Sequence, residues 1–538
     1  MKKTSYETLG VMIDMSRNAV MGVEQVKEYF GYLKKMGYNC AMLYTEDTYE
    51  VDGEPYFGYM RGGYSKADLK ELDAYAASLG IELIPCVQTL AHLQGFVHWM
   101  QAPVDRDDIL MVDEPRVYEL IEHMLSTLRE CFKSNRIHIG MDEAWALGRG
   151  KFMDKHGYES ATSIMKRHLA RVMEIVKKYG FEPMIWSDMF FYSIPPEHKY
   201  YHPRMQVPQD VVASVPEDVT LVYWDYYHET VQEYEDMLYN HKQLTEKLWF
   251  APSVWSGHGF LPLNRYAIRT MKCGVEASRN HGVKHYLQTT WGDDGAEASR
   301  YAILPSLYCF AEAVRGNDDE EKVKAGFKKL FGADYDDFMS LDDLNFILKR
   351  ITDRSGAAPK VAFYNDPFNG LLDCRVDEAQ VAHIKACAEK WHACAKKYRK
   401  WGYLFDYAAK LADVLEIKYD LGVRTRAAYL AGDKQALRAL ATEDYVEVLK
   451  RIKRFYAAFE KRWNRENRPT GFDVQDIRIG GLIARIDSCR RRLTEYVNGK
   501  IAQIPELAFP LVGDKIPEGA HKIYGMAVTP NRLTHKIL

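Results

Sequence analysis

Asp142 and Glu143 are adjacent carboxylates at the end of Arg136-Ile-His-Ile-Gly-Met-Asp-Glu-Ala144, a short apolar run that reads as a β-strand. Acids at the carboxyl end of a strand stand where barrel enzymes keep their chemistry. Neighbouring side chains on a regular strand point to opposite faces. Two acids serving one site therefore require the chain to leave strand geometry, and Gly140 just upstream lets it bend.

Other residues could join them. Trp186, Trp224, Trp255 and Trp291 fall near the ends of four later strand-like runs. Together they could wall a pocket for a pyranose ring, whose C–H faces stack on aromatic planes. Arg17, Glu46, Asp47, Gln88, His92, Asp188, Asp225, Asp293 and Asp294 supply polar anchors at other run ends. Carboxylates pair well with vicinal hydroxyls, and Arg17 could donate to the same sugar. A salt bridge to a rim carboxylate is its bland alternative. His92 and His138 also invite a metal reading. The chain has no HxH or HxxxH there, so no catalytic metal and no cofactor is expected.

These residues need a frame. Apolar runs at Gly10–Arg17, Cys40–Asp47, Glu82–Thr89, Arg136–Ala144, Pro183–Asp188, Thr220–Tyr226, Leu248–Trp255 and His285–Asp294 alternate with helical patterns. Ser65 and Asp68 predict a capping box for a helix stopping at Gly80. Eight β-then-α units within about 300 residues predict an α/β fold, a (β/α)8 TIM barrel, over residues 1–312. A doubly wound sheet would want a Gly-rich phosphate loop after its first strand, and none is present. From 313 to 538 a C-terminal all-α domain is expected, with helices at Val376–Lys400, Tyr403–Leu421, Lys434–Arg462 and Val474–Val497 and an irregular tail beyond Ile501.

Bulk properties narrow the function. A length of 538 residues implies two or three domains, and 47% hydrophobic with 27% charged residues is a globular composition. A net charge of −3 argues against nucleic acid as partner. No apolar run is long enough to span a membrane, and no signal peptide is visible. Nine scattered cysteines without CxxC spacing fit reduced thiols, so a cytoplasmic setting is expected. The amphipathic stretches Tyr445–Phe459 and Ile477–Leu493 raise the expectation of a homodimer through the helical region.

The chain resembles a known family. His138-Ile-Gly-Met-Asp142-Glu143 is similar to the His-x-Gly-x-Asp-Glu signature of glycoside hydrolase family 20, the β-N-acetylhexosaminidases. Asp14-Met-Ser-Arg17 resembles that family's first-strand Asp-x-x-Arg, Pro85 to His92 its third-strand motif, and Trp291-Gly-Asp293 its last-strand Trp-Gly-Glu, one methylene shorter here. The resemblance covers about residues 8 to 312. Many members carry an α/β domain ahead of the barrel, whereas this barrel begins almost at once, as in a smaller intracellular branch.

The resemblance implies a retaining exo-hydrolase acting on oligosaccharides or glycoconjugates with terminal β-linked GlcNAc or GalNAc, through an oxazolinium intermediate. Glu143 would be the general acid, then the general base, with its pKa raised by its site. Asp142 would hold the acetamido N–H. A strand-six tyrosine would donate to the acetamido oxygen: Tyr223 matches the family's Tyr-x-Asp with Asp225, and Tyr226 is the alternative. Arg17, His92, Trp186, Trp255, Trp291 and Asp293 would complete the substrate site. Spacing agrees with such a mechanism. A retaining enzyme with its own nucleophile keeps its carboxyls about 5 Å apart across the sugar, usually on different strands. Here both approach from one strand end. Two competing readings are an O-GlcNAcase-like hydrolase, which carries Asp-Asp where this chain has Asp-Glu, and a catalytically inactive carbohydrate-binding barrel, which needs no proton donor.

Overall fold

The computed structural model describes residues 6–194, 198–349 and 356–511. Eight parallel strands close into a barrel in chain order, with the last pairing back to the first. They are β1 (Thr8–Asp14), β2 (Cys40–Tyr44), β3 (Glu82–Cys86), β4 (Arg136–His138), β5 (Glu182–Trp186), β6 (Thr220–Trp224), β7 (Leu248–Ala251) and β8 (His285–Thr290). β1 runs beside β8 from Thr8↔His285 to Ile13↔Thr290 and beside β2 from Gly10↔Cys40 to Asp14↔Tyr44. Every residue of β1 and β2 is buried. That is why these strands read as unbroken apolar runs, as strands covered on both faces do.

Each strand is shorter than its sequence run, and always at the same end. The polar residues that close the runs lie beyond the ladder's last paired residues. The helices between strands follow local signals. α1 (Val23–Met36) ends at Gly37 in the left-handed region. α2 (Lys66–Ser78) begins in the expected box, with Asp68 N–H donating to Ser65 Oγ at 3.1 Å and Ser65 N–H to Asp68 Oδ2 at 3.0 Å. Between β3 and α3 (Pro115–Cys131) lies a feature the patterns did not suggest: a small hairpin of Val104–Arg106 with Ile109–Leu110. α4 (Ala161–Lys178) precedes β5, and the one-turn α5 (Asp188–Tyr192) follows it. α6 (Val231–Lys242) joins β6 to β7.

The chain divides into two compact units. One takes in the chain up to Val254 with Ala267–Trp291 and Ser306–Val323, and contains the barrel strands. The other takes in Trp255–Tyr266, Gly292–Pro305 and the chain from Lys324 on. The second unit is helical, including α7 (Ala358–Tyr364), α8 (Gln380–Lys397), α9 (Gly402–Lys418), α10 (Tyr445–Glu466) and α11 (Asp473–Val497). A π-helical segment, Leu440–Asp444, leads into α10. The apolar faces that raised the expectation of a dimer are largely used inside this unit. Val448, Ile452, Phe455 and Phe459 of α10 and Ile479, Ile486 and Leu493 of α11 are buried within the chain. Ile477 is the exposed exception. Of the tail, Pro505–Ala508 form a single helical turn, and the segment beyond 511 lies outside the described residues.

Within the second unit, buried charges fix the segment Gly292–Pro305. Lys360 on α7 pairs with Asp294 and Glu297, both at 2.6 Å, and Arg478 on α11 pairs with Glu297 at 2.7 Å. Arg462 on α10 donates to the Glu297 carbonyl at 2.7 Å. Buried charges are tolerable only when paired in this way, and removing one partner is costly.

Candidate active site

Strand β4 stops at His138, and the chain then turns sharply. Gly140, Met141 and Glu143 all have positive φ, at 73°, 68° and 53°. Only glycine fits the first of these positions. A Cβ there would lie 2.1 Å from Gln88 Oε1 and 2.7 Å from the Val87 carbonyl. Left-handed backbone at non-glycine residues costs energy and gathers at functional sites. Here it turns two consecutive acids toward one imidazole. His92 Nε2 lies 3.4 Å from Asp142 Oδ2 and 3.8 Å from Glu143 Oε2. His92 itself has φ +59°.

The two acids have different surroundings. The Asp142 side chain is 10% exposed, that of Glu143 45%. Gln88 Nε2 donates to Asp142 Oδ1, and Gln88 Oε1 accepts the Met141 N–H at 3.0 Å. Burial alone would raise the Asp142 pKa. The charge and proximity of His92, with the Gln88 bond, outweigh it and hold this carboxyl below the usual range. Burial would likewise lower the His92 pKa, but Asp142 and the charge of Glu46 push it up to about 10.

A third carboxyl, Asp188 at the start of α5, accepts the Glu143 N–H at 2.9 Å. It is fully buried, and burial with the nearby Asp142 charge pushes its pKa well above the carboxylate range. His138 is a neutral support. Its Nδ1 accepts the Gly140 N–H at 3.1 Å, its ring packs 4.3 Å from Trp186, and burial drives its pKa down to about 3. That bond occupies the lone pair a metal would need. Among the described residues no cluster of His, Cys, Asp and Glu is arranged to hold a metal.

Arg17 follows a tight turn in which Asp14 Oδ1 accepts from Ser16 N–H and Oγ. It ion-pairs with Glu46, which also accepts from Tyr44 OH at 3.1 Å. The Tyr44 oxygen accepts in turn from Gln88 Nε2 at 2.8 Å. A continuous chain therefore runs Arg17–Glu46–Tyr44–Gln88–Asp142 across the ends of β1 to β4. Tyr44 was not singled out in the sequence. As the last residue of an apolar strand it carries no local mark of a polar task.

The tryptophans divide. Trp291 meets Tyr44 edge-on at 4.9 Å and Trp186 at 6.1 Å, so these two stand with the acid pair's supports. Trp224 packs instead with Tyr200 at 4.6 Å and stacks on Tyr226 at 5.5 Å. Trp255 belongs to the second unit, against Tyr266 and His258. Asp293 is in that unit too, 3.9 Å from His258 Nε2.

The strand-six alternatives are now distinguishable by surroundings. Tyr223 is fully buried, 4.3 Å from His241 of α6, with its hydroxyl bonded to Asp225. Asp225 is also engaged by His228 Nδ1 at 2.6 Å and by the Tyr227 N–H at 3.1 Å. Both side chains are thus tied into their own loop. Tyr226 is partly exposed, so of the two tyrosines it is the one with accessible surface.

One further carboxylate escaped the sequence reading. Asp105, in the hairpin, accepts three backbone N–H groups: Gly148 at 2.6 Å, Gly150 at 3.0 Å and Phe152 at 2.9 Å. It latches the loop that follows His92 to the loop that follows Glu143. Its partners are main-chain groups, which leave no signature in side-chain spacing.

Human hexosaminidase D is 25% identical over 237 residues, 41% of this chain and 46% of the relative. The Bos taurus hexosaminidase D is 24% identical over 216 residues, 37% of this chain and 58% of the relative. The chain thus spans about half the length of these curated relatives. A solved exo-β-N-acetylglucosaminidase from Vibrio harveyi, in complex with N-acetylglucosamine, aligns over 61% of this chain and 58% of that one, at 16% identity and a TM-score of 0.45. Residues 6–241 match the glycosyl hydrolase family 20 catalytic domain, and residues 336–521 match the Glycoside Hydrolase 20C C-terminal domain. With both parts of that architecture matched in order, the chain belongs to glycoside hydrolase family 20.

Proposed function

We propose that the protein is an exo-acting, retaining β-N-acetylhexosaminidase that removes terminal β-GlcNAc or β-GalNAc using the substrate's own acetamido group. The observation that carries this reading is the unlike pair on one imidazole. Asp142 is buried and held as a carboxylate, while Glu143, its neighbour, is half exposed beside the same His92.

In this reading Glu143 gives its proton to the glycosidic oxygen as the C1–O bond breaks. The acetamido oxygen supplies the electron pair that forms the new bond at C1. Asp142 accepts the acetamido N–H and stabilises the positive charge of the oxazolinium, and Gln88 and His92 keep it ionised and oriented. Glu143, now a carboxylate, removes a proton from the incoming water. That water enters from the side the leaving group vacated and restores the β-configuration. Tyr226 is the better placed partner for the acetamido oxygen, because the Tyr223 hydroxyl is committed to Asp225. Arg17, held by Glu46, and Trp291 would grip the rest of the sugar, while Trp186, which has no exposed surface, would back the pocket from behind against His138. A cytoplasmic setting fits the nine cysteines, among which no disulfide forms.

The test is turnover of aryl β-N-acetylglucosaminide and β-N-acetylgalactosaminide beside the aryl β-glucoside. Cleavage of the N-acetyl substrates with the glucoside left intact is expected. A purified protein that ignores both N-acetyl substrates would sink the reading and favour a binding barrel.

A further inference from the structure

A proton donor faces the departing group, so whatever is fixed beside Glu143 faces that group as well. Two residues on, the Trp145 N–H donates to the Glu143 carbonyl at 2.7 Å, a tight turn that ties the two residues' backbones together. Trp145 is 37% exposed, so part of its indole is open to a ligand.

Its setting is rigid. The indole lies 4.3 Å from the ring of Tyr192, inclined at 52°. Tyr192 is the last residue of α5, and Asp188, the first, accepts the Glu143 N–H. Both ends of a single helical turn therefore grip the same three-residue stretch. Downstream, the Leu147 N–H donates to the Ala144 carbonyl at 3.0 Å, and the Gly148 N–H is held by Asp105. An exposed tryptophan on a backbone tethered this closely is displayed rather than left over.

We propose that Trp145, braced by Tyr192, is the stacking face for the first sugar ring of the leaving group, which makes oligosaccharides the preferred substrate class over alkyl conjugates. This rests on the reading of Glu143 as the proton donor. A pyranose presents an apolar C–H face edged by hydroxyls. An indole plane beside a phenol offers the matching combination of ring surface and polar handle. An alkyl chain would gain less from a flat ring.

The experiment compares a β-GlcNAc-terminated disaccharide with β-N-acetylglucosaminyl azide, whose leaving group has no ring. Trp145→Ala should lose about tenfold more kcat/KM on the disaccharide than on the azide, chiefly through KM. Trp145→Phe should recover most of the difference, and Tyr192→Ala should show a smaller loss of the same kind. Melting temperatures of the three variants separate misfolding from lost stacking. Equal losses on both substrates, or none on either, overturn the proposal. Failure of the wild type on both substrates would instead remove the hydrolase reading beneath it.

Discussion

The side-chain amide of Gln88 donates to Oδ1 of Asp142 at 2.6 Å. Its other end accepts the N–H of Met141, so one side chain fixes both the carboxylate and the bend that presents it. Gln88→Leu keeps the bulk and removes both bonds, along with the one Gln88 gives to the Tyr44 oxygen. Hydrogen bonds to charged groups contribute about 1.5–3 kcal/mol, so kcat on an aryl N-acetyl substrate should fall roughly 10- to 100-fold. An unchanged kcat would show that Asp142 needs no such support.

Glu143→Gln should remove proton donation while keeping shape. General acid catalysis is worth about 10²–10⁴-fold, so losses of that size are expected with poor leaving groups such as a sugar. With strongly acidic phenols the first step needs little help, and added azide should restore turnover by replacing the base-dependent water. Equal losses across a leaving-group series would argue against Glu143 as the acid.

Asp142→Asn should keep the shape of the site and lose the charge that faces the oxazolinium. A thiazoline mimic of that ion should bind the wild type tightly and the variant much less, by one to two orders of magnitude at about 1.4 kcal/mol per tenfold. Equal binding by both proteins, or an aryl glucoside cleaved as fast as the N-acetyl sugar, would exclude assistance by the acetamido group.

His92 and Asp142 make a pH-dependent contribution whose direction is fixed. The His92 pKa is raised from 6.5 to about 10, so its stabilisation is complete below pH 6.5 and is lost as pH climbs through 10. The Asp142 pKa is lowered, so its share is present above pH 3.8 and is lost on acidification below that value. Wild type should therefore lose thermal stability relative to His92→Gln between pH 6.5 and 10, by at most a few kcal/mol. Parallel melting curves for the two proteins across that window would contradict the ion pair.

Much of the barrel could be read from the chain because its strands are buried on both faces and are followed by polar residues. Cys40-Ala-Met-Leu-Tyr44 before Glu46 and Glu82-Leu-Ile-Pro-Cys86 before Gln88 are of this kind. The bend at Gly140 was readable for a related reason: two adjacent acids cannot share a face without it. Side-chain direction was not readable past the strand ends. Tyr223 is still on β6 while Tyr226 lies past its end, where the chain's direction is decided by the clasp of Tyr223, His228 and the Tyr227 N–H on Asp225. The anchoring of Asp294 and Glu297 was equally hidden. Their partners Lys360 and Arg478 lie far along the chain, where no local pattern links them to this segment until folding buries them.

Barrel enzymes are usually credited with loops that diversify one at a time, each tip free to lengthen or shorten while the frame stays put. The three N–H groups gathered by Asp105 remove that freedom from two of the loops here. An insertion between His92 and Pro115 would pull on the segment after Glu143, and a deletion there would leave three backbone donors seeking a new acceptor. These two loops are thus a single mechanical piece. Grafting either one alone into a relative should fail, while moving them as a pair should succeed.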